Sequence, residues 1–128
     1  MTVRTVLVVD DDDDIRQLAQ MALELTAGWT VITANGGVAA IEQARTHQPD
    51  AVLLDMMMPG MDGLTTFDHL QSDDATREIP VILFTAKMQA GEQQAWDDYA
   101  IRGAIPKPFD PMTLADQVAQ MLSWTSVS

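Results

Sequence analysis

The run VLVVDDDDDI, residues 6–15, decides how the rest of the chain is read. Val6 to Val9 form a continuous stretch of branched apolar residues with no polar alternation, which suits a strand buried on both faces of a sheet. A hairpin strand with one wet face would alternate. After the aspartates, Ile15, Leu18, Ala19, Ala22 and Leu25 recur at helical spacing between Asp13 and Thr26. Asp13 or Asp14 is placed to cap the first turn, and Gly28 to end the helix. Strand, acidic turn and amphipathic helix thus follow one another within about one βα unit.

The same alternation continues outward. Trp29 to Ala34 reads as a second strand, Val38 to His47 as a second helix closed by Pro49, and Ala51 to Leu54 as a third strand ending at Asp55. Asp62-Gly63 opens a third helix to about Ser72, and Pro80 to Phe84 is a fourth strand followed at once by Thr85. A fourth helix is expected over roughly Gln89 to Ala100 and a short fifth strand at Ala104-Ile105, broken by Pro106. A last helix starts at Pro111 with Leu114, Ala115, Val118 and Leu122 inward. Five βα units in strict alternation predict right-handed crossovers and a doubly wound α/β fold, a five-stranded parallel sheet flanked by five helices. The 128 residues are expected to form a single domain with its core at about 5–123.

Composition narrows the function classes. Cysteine is absent, which excludes disulfides, thiolate metal sites and cysteine nucleophiles. Seven Lys plus Arg against 19 Asp plus Glu give a formal net charge of −12, a surface that repels nucleic-acid phosphates and anionic lipids. No direct nucleic-acid partner and no membrane are therefore expected. The start of the chain meets acidic residues rather than a small-residue cleavage site, and a soluble, cytoplasmic protein is the reading.

In doubly wound sheets ligands sit beyond the carboxyl ends of the strands. Asp10 and Asp11 follow the first strand, Asp55 the third, Thr85 the fourth and Lys107 the fifth, so all five converge on one rim. Carboxylates within about 5 Å repel by roughly 3 kcal/mol per pair at an effective dielectric near 20. Such a cluster calls for a hard divalent cation with oxygen ligands, and Mg²⁺ suits it because it keeps waters for a phosphate. A carboxylate beside a cation, a lysine and a threonine hydroxyl can take up a phosphoryl group, whose charge is spread over several oxygens. Asp55, on the middle strand, is the nucleophile in this reading, and Asp10 and Asp11 support the metal. Asp12, Asp13 and Asp14 are better placed for capping than for ligation. Met56 to Met58 read as packing and loop structure, and His47 and His69 as surface positions.

Val8-Val9-Asp10-Asp11, Asp55-Met56-Met57-Met58-Pro59-Gly60-Met61-Asp62-Gly63, Thr85-Ala86 and Lys107-Pro108-Phe109 together resemble the response regulator receiver domain, in order, over about Val6 to Leu122. The resemblance implies a flavodoxin-like strand order 2-1-3-4-5. It implies that Asp55 accepts phosphate from a sensor histidine kinase or histidine phosphotransfer protein and signals to a downstream protein. It further implies Mg²⁺ held by Asp11, Asp55 and the main-chain carbonyl of Met57, with Asp10 acting largely through water, and Thr85 closing on the phosphoryl group. A cis Lys107-Pro108 bond is common in that family. The chain departs from the pattern at Ala104, where receivers usually carry Tyr or Phe. Trp96, Tyr99 and Trp124 are candidates for part of the signalling surface, with core packing the plainer reading. Met57 and Lys87 take the variable positions flanking the site. Two other readings compete: a haloacid dehalogenase-like phosphatase with an aspartate nucleophile, and a docking module indifferent to phosphate. The first places its nucleophile after the first strand in a D-x-D-x-[TV] pattern, which residues 10–14 lack.

Overall fold

The computed structural model describes residues 3–85 and 101–124. Strands β1 (Thr5–Val9), β2 (Thr30–Ala34), β3 (Ala51–Asp55), β4 (Val81–Thr85) and β5 (Ile101–Pro106) form one sheet in the order β2-β1-β3-β4-β5. Every neighbouring pair is parallel. Helices α1 (Asp13–Ala27), α2 (Gly37–His47), α3 (Gly63–Ser72) and α4 (Leu114–Met121) are the four among the described residues. The helix expected over 89–100, with Lys87, Trp96 and Tyr99, lies outside them.

The unalternating strands are covered on both sides, as their composition requires. Val6 and Val8 face Ala19, Ala22 and Leu23 of α1 together with Leu114, Ala115, Val118 and Ala119 of α4. Leu7 and Val9 face the other way, toward Ala40 and Ala44 of α2 and Phe67 and Leu70 of α3. Val6, Leu7, Val8 and Val9 of β1 are fully buried, and each such side chain contributes about 1.5–3 kcal/mol by leaving water. Short residues permit close approach where the layers meet: a Cβ on Gly37 of α2 would lie 2.5 Å from Thr66 Oγ1 of α3.

Several local expectations change. Asp12, not Asp13 or Asp14, caps α1, its carboxylate accepting from the main-chain N–H groups of Asp14 and Ile15. Gly28 ends the helix as read, at φ 70°. The inner face of α1 is Ala19, Ala22 and Leu23, while Leu18 and Leu25 are exposed. The helix carries two apolar stripes, and only the one meeting β1 and α4 is buried. β5 runs from Ile101 rather than from Ala104 alone, and Pro106 sits at its end on the sheet edge, opposite Thr85. α4 begins at Leu114 instead of Pro111. Asp110 first closes a turn, its carboxylate accepting from the Met112 N–H at 2.9 Å and its carbonyl from the Thr113 N–H at 3.1 Å. Trp124 follows α4 and packs edge-on against Trp29, ring centroids 5.2 Å apart, with the Arg4 guanidinium 4.5 Å from its ring centre. It belongs to the end of the sheet opposite Asp55 and packs there against the core.

The reassigned face of α1 is directly measurable. Leu23→Ala is expected to cost about 2–5 kcal/mol of unfolding free energy, as for a fully buried leucine. Leu25→Ala, at a site 79% exposed, is expected to stay within about 0.5 kcal/mol of the parent in the same urea titration.

Candidate functional site

Parallel pairing places the carboxyl ends of β1, β3 and β5 on one edge. Asp10 directly follows β1 and extends its ladder, donating its N–H to the Ala34 carbonyl at 3.1 Å. Its side chain is fully buried. One carboxylate oxygen accepts from the Asp12 N–H at 2.9 Å and the other from Lys107 Nζ at 2.6 Å. Asp55 ends β3 and is 4% exposed. Its Oδ1 accepts from the Met57 N–H at 3.2 Å and lies 3.1 Å from Lys107 Nζ. Lys107 directly follows the end of β5, precedes a cis bond to Pro108, and bridges the two buried carboxylates.

Asp11 is exposed at the mouth, and Asp10, Asp11 and Asp55 each offer an oxygen within 4.8 Å of the others. Thr85 is brought to the same edge as the last residue of β4, but its side chain lies outside the described residues. Of the expected site residues, Asp10, Asp11, Asp55 and Lys107 are therefore brought together. Met57 adjoins them through its amide, and its side chain is 74% exposed.

The electrostatics follow from this crowding. Burial pushes the Asp55 carboxyl up to about 6, with the charge of Asp10 adding to the effect and Lys107 and the Met57 N–H opposing it. Burial alone would lower Lys107, but its hydrogen bonds and charge interactions with Asp10 and Asp55 outweigh this and raise it. Lys107 is thus held as a cation between two carboxylates. The donor set at the mouth is entirely carboxylate oxygen, with no imidazole or sulfur among the three acids, which fits a small hard cation.

Arg16 was not singled out from the sequence, and Gly63 was read only as part of a helix start and a motif. Arg16 donates to the Asp10 carbonyl at 2.8 Å and pairs with Asp13, fastening the first turn of α1 to the end of β1. A lone basic residue three positions after Asp13 was the available signal. Gly63 explains the Asp62-Gly63 pair. A Cβ there would lie 2.6 Å from the Asp55 carbonyl oxygen, so only glycine lets α3 start against the end of β3. Its N–H donates to the Met56 carbonyl at 2.9 Å. Asp62 caps the helix by accepting from the Thr65 N–H, which holds its own carboxyl below the usual range.

A doubly wound parallel sheet with a buried aspartate, two flanking acids and a bridging lysine at its carboxyl edge defines a class of phosphoacceptor fold, and comparison with known proteins agrees. Residues 6–119 match the family described as the response regulator receiver domain, and the chain belongs to that family. It is 37% identical to the probable transcriptional regulatory protein TcrX of Mycobacterium tuberculosis, over 97% of this chain and 52% of TcrX. It is 35% identical to the phosphate regulon transcriptional regulatory protein PhoB of Pseudomonas aeruginosa, over 98% of this chain and 54% of PhoB. The chain spans about half the length of these curated relatives. Chemotaxis protein CheY4 of Vibrio cholerae superposes with a TM-score of 0.87 at 28% identity, covering 94% of this chain and 99% of CheY4. The protein is accordingly a two-component receiver, and the observed strand order is the one the resemblance implied. Among the described residues no helix is long and apolar enough to cross a membrane.

The raised Asp55 carboxyl has a stability consequence. Its folded-state value of about 6 lies above the ordinary 3.8, so ionising it in the folded state costs free energy as pH rises through that interval. In metal-free buffer Asp55→Asn is expected to be more stable than the parent by about 3 kcal/mol at pH 7.5, with the gap closing toward pH 4. Urea denaturation at the two pH values checks this.

Proposed function

We propose that Asp55 is the phosphoacceptor and that a phosphohistidine of a sensor histidine kinase or histidine phosphotransfer protein is the donor. The observation that carries the reading is the Lys107 bridge: one cation holds Asp55 Oδ1 at 3.1 Å and Asp10 Oδ2 at 2.6 Å at the edge of a parallel sheet. In the transfer a carboxylate oxygen of Asp55 attacks phosphorus and the phosphorus–nitrogen bond of the donor breaks, its electron pair returning to the imidazole. Lys107 neutralises charge on the moving group, and Thr85 supplies a hydroxyl to another of its oxygens. Asp10, Asp11, Asp55 and the Met57 carbonyl would hold Mg²⁺, which supplies positive charge to the phosphoryl oxygens and offsets the crowded carboxylates. The Met57 N–H fixes the rotamer of Asp55 before phosphate arrives.

The product is an acyl phosphate, and water attack on it returns Asp55. In this reading the chain catalyses its own phosphorylation and dephosphorylation, with no other substrate, and passes the state to a downstream protein. A protein output also suits the net charge of −12, which disfavours direct contact of this domain with nucleic acid. The relay does not use the usual aromatic of β5. Ala104 takes that place, half-buried opposite Leu83. Family membership and the absence of a D-x-D-x-[TV] pattern at residues 10–14 leave the dehalogenase-like reading without support.

Incubation with Mg²⁺ and acetyl phosphate should add one phosphoryl group by intact mass, and Asp55→Asn should take none; an equal adduct on the variant would remove Asp55 from the role. Met57 at the mouth is a weakly polar shield over the acyl phosphate. Met57→Asn is expected to shorten the adduct half-life several-fold, and an unchanged half-life would refute the shielding role.

A further inference from the structure

The loop after the acceptor strand carries three consecutive methionines with unlike surroundings. Met58 is 8% exposed and packs in the core beside Leu54, and Met56 is half-buried against the same cluster. Met61 is tucked against α2, its sulfur 2.7 Å from where a Cβ on Gly37 would stand. Met57 alone of these four turns outward, at 74% exposed. The main chain that carries it is tied to the acceptor by the Met57 N–H to Asp55 Oδ1 bond. The chain has no cysteine, so any sulfur redox chemistry falls to its methionines.

From this we infer that Met57 is a redox modification site: its thioether is oxidised by hydroperoxides, and the sulfoxide shortens the life of the phosphoryl group on Asp55. A sulfur lone pair attacks one peroxide oxygen and the O–O bond breaks. With hydrogen peroxide the thioether becomes a sulfoxide, oxidised by two electrons, and the peroxide is reduced to water. The modification replaces a weakly polar thioether by a strong hydrogen-bond acceptor that methionine sulfoxide reductases can remove. At the mouth of the site that oxygen orders water where the thioether excluded it. The lifetime effect rests on the Asp55 reading; the oxidation itself does not.

The folded protein is treated with hydrogen peroxide, mapped by peptide mass spectrometry over time, then phosphorylated with Mg²⁺ and acetyl phosphate and followed by intact mass. Met57 and the equally exposed Met112 should oxidise about tenfold faster than Met58, as exposure dictates. The phosphoryl half-life of the treated protein should fall at least about threefold relative to its untreated sample and recover after reductase treatment. Met57→Leu should show no treated-to-untreated difference, whereas Met112→Leu should respond as the parent does. Oxidation of Met57 no faster than Met58 overturns the site. An unchanged half-life with Met57 fully oxidised, or an equal fall in Met57→Leu, overturns its consequence. Failure of untreated protein to take phosphate would instead defeat the Asp55 reading, while the oxidation rates would still decide whether Met57 is the modified residue.

Discussion

Two carboxylates that cannot comfortably share one buried place, held there by a single lysine, are the constraint on which the rest of this structure depends. Asp10 and Asp55 sit at the ends of adjacent central strands because β1 pairs with β3 in a register that sets Val9 against Leu54. Both are withdrawn from water, so their mutual repulsion is weakly screened. Lys107 reaches them from β5, across β4, which requires all of these strands to end on the same edge. Parallel topology supplies that, and the helices between strands follow from it. The site is polarised before any ligand arrives: a cation on one side, an exposed third acid on the other, and Asp55 between them with its carboxyl raised to about 6.

The main-chain framing is what makes the crowding tolerable. The Met57 N–H and the Asp12 N–H each donate to one of the buried carboxylates. Arg16 anchors the Asp10 carbonyl, and Gly63 lets α3 start hard against Asp55. These contacts fix the rotamers and loop paths on which an in-line attack would depend. The opposite end of the sheet is built differently, with Trp29, Trp124 and Arg4 closing the apolar core. β5, the edge strand between the two, is unusually slim. Gly103 leaves room for Met121 of α4, whose sulfur lies 2.7 Å from where a Cβ would be, and Ala104 adds only a methyl group. β5 therefore carries no aromatic ring at position 104.

Much of this was legible in the sequence because each site residue directly follows an apolar run, and in a doubly wound sheet that position is the carboxyl rim. Asp10, Asp11, Asp55 and Lys107 needed no more than that. What was not legible depended on choices that periodicity leaves open. Helix α1 has apolar residues at Ala19, Ala22 and Leu23 and also at Leu18, Met21 and Leu25, and only packing against β1 and α4 selects the first set. The cap fell to Asp12 because several consecutive aspartates offer equivalent side chains and the chain path decides among them. Arg16 was missed because it acts on a main-chain carbonyl, which no residue pattern records. The helix ends before Trp124 and the chain turns back onto Trp29, a contact that periodicity does not record.

The central claim is that the carboxylate at the end of β3, and neither of the acids beside it, takes the phosphoryl group. Phosphorylation with acetyl phosphate, reduction of the acyl phosphate with borohydride and peptide sequencing by mass spectrometry would locate the acceptor directly, since reduction leaves homoserine where the phosphorylated aspartate stood. Homoserine is expected at position 55 and nowhere else. Homoserine at position 10 or 11, with position 55 intact, would contradict it.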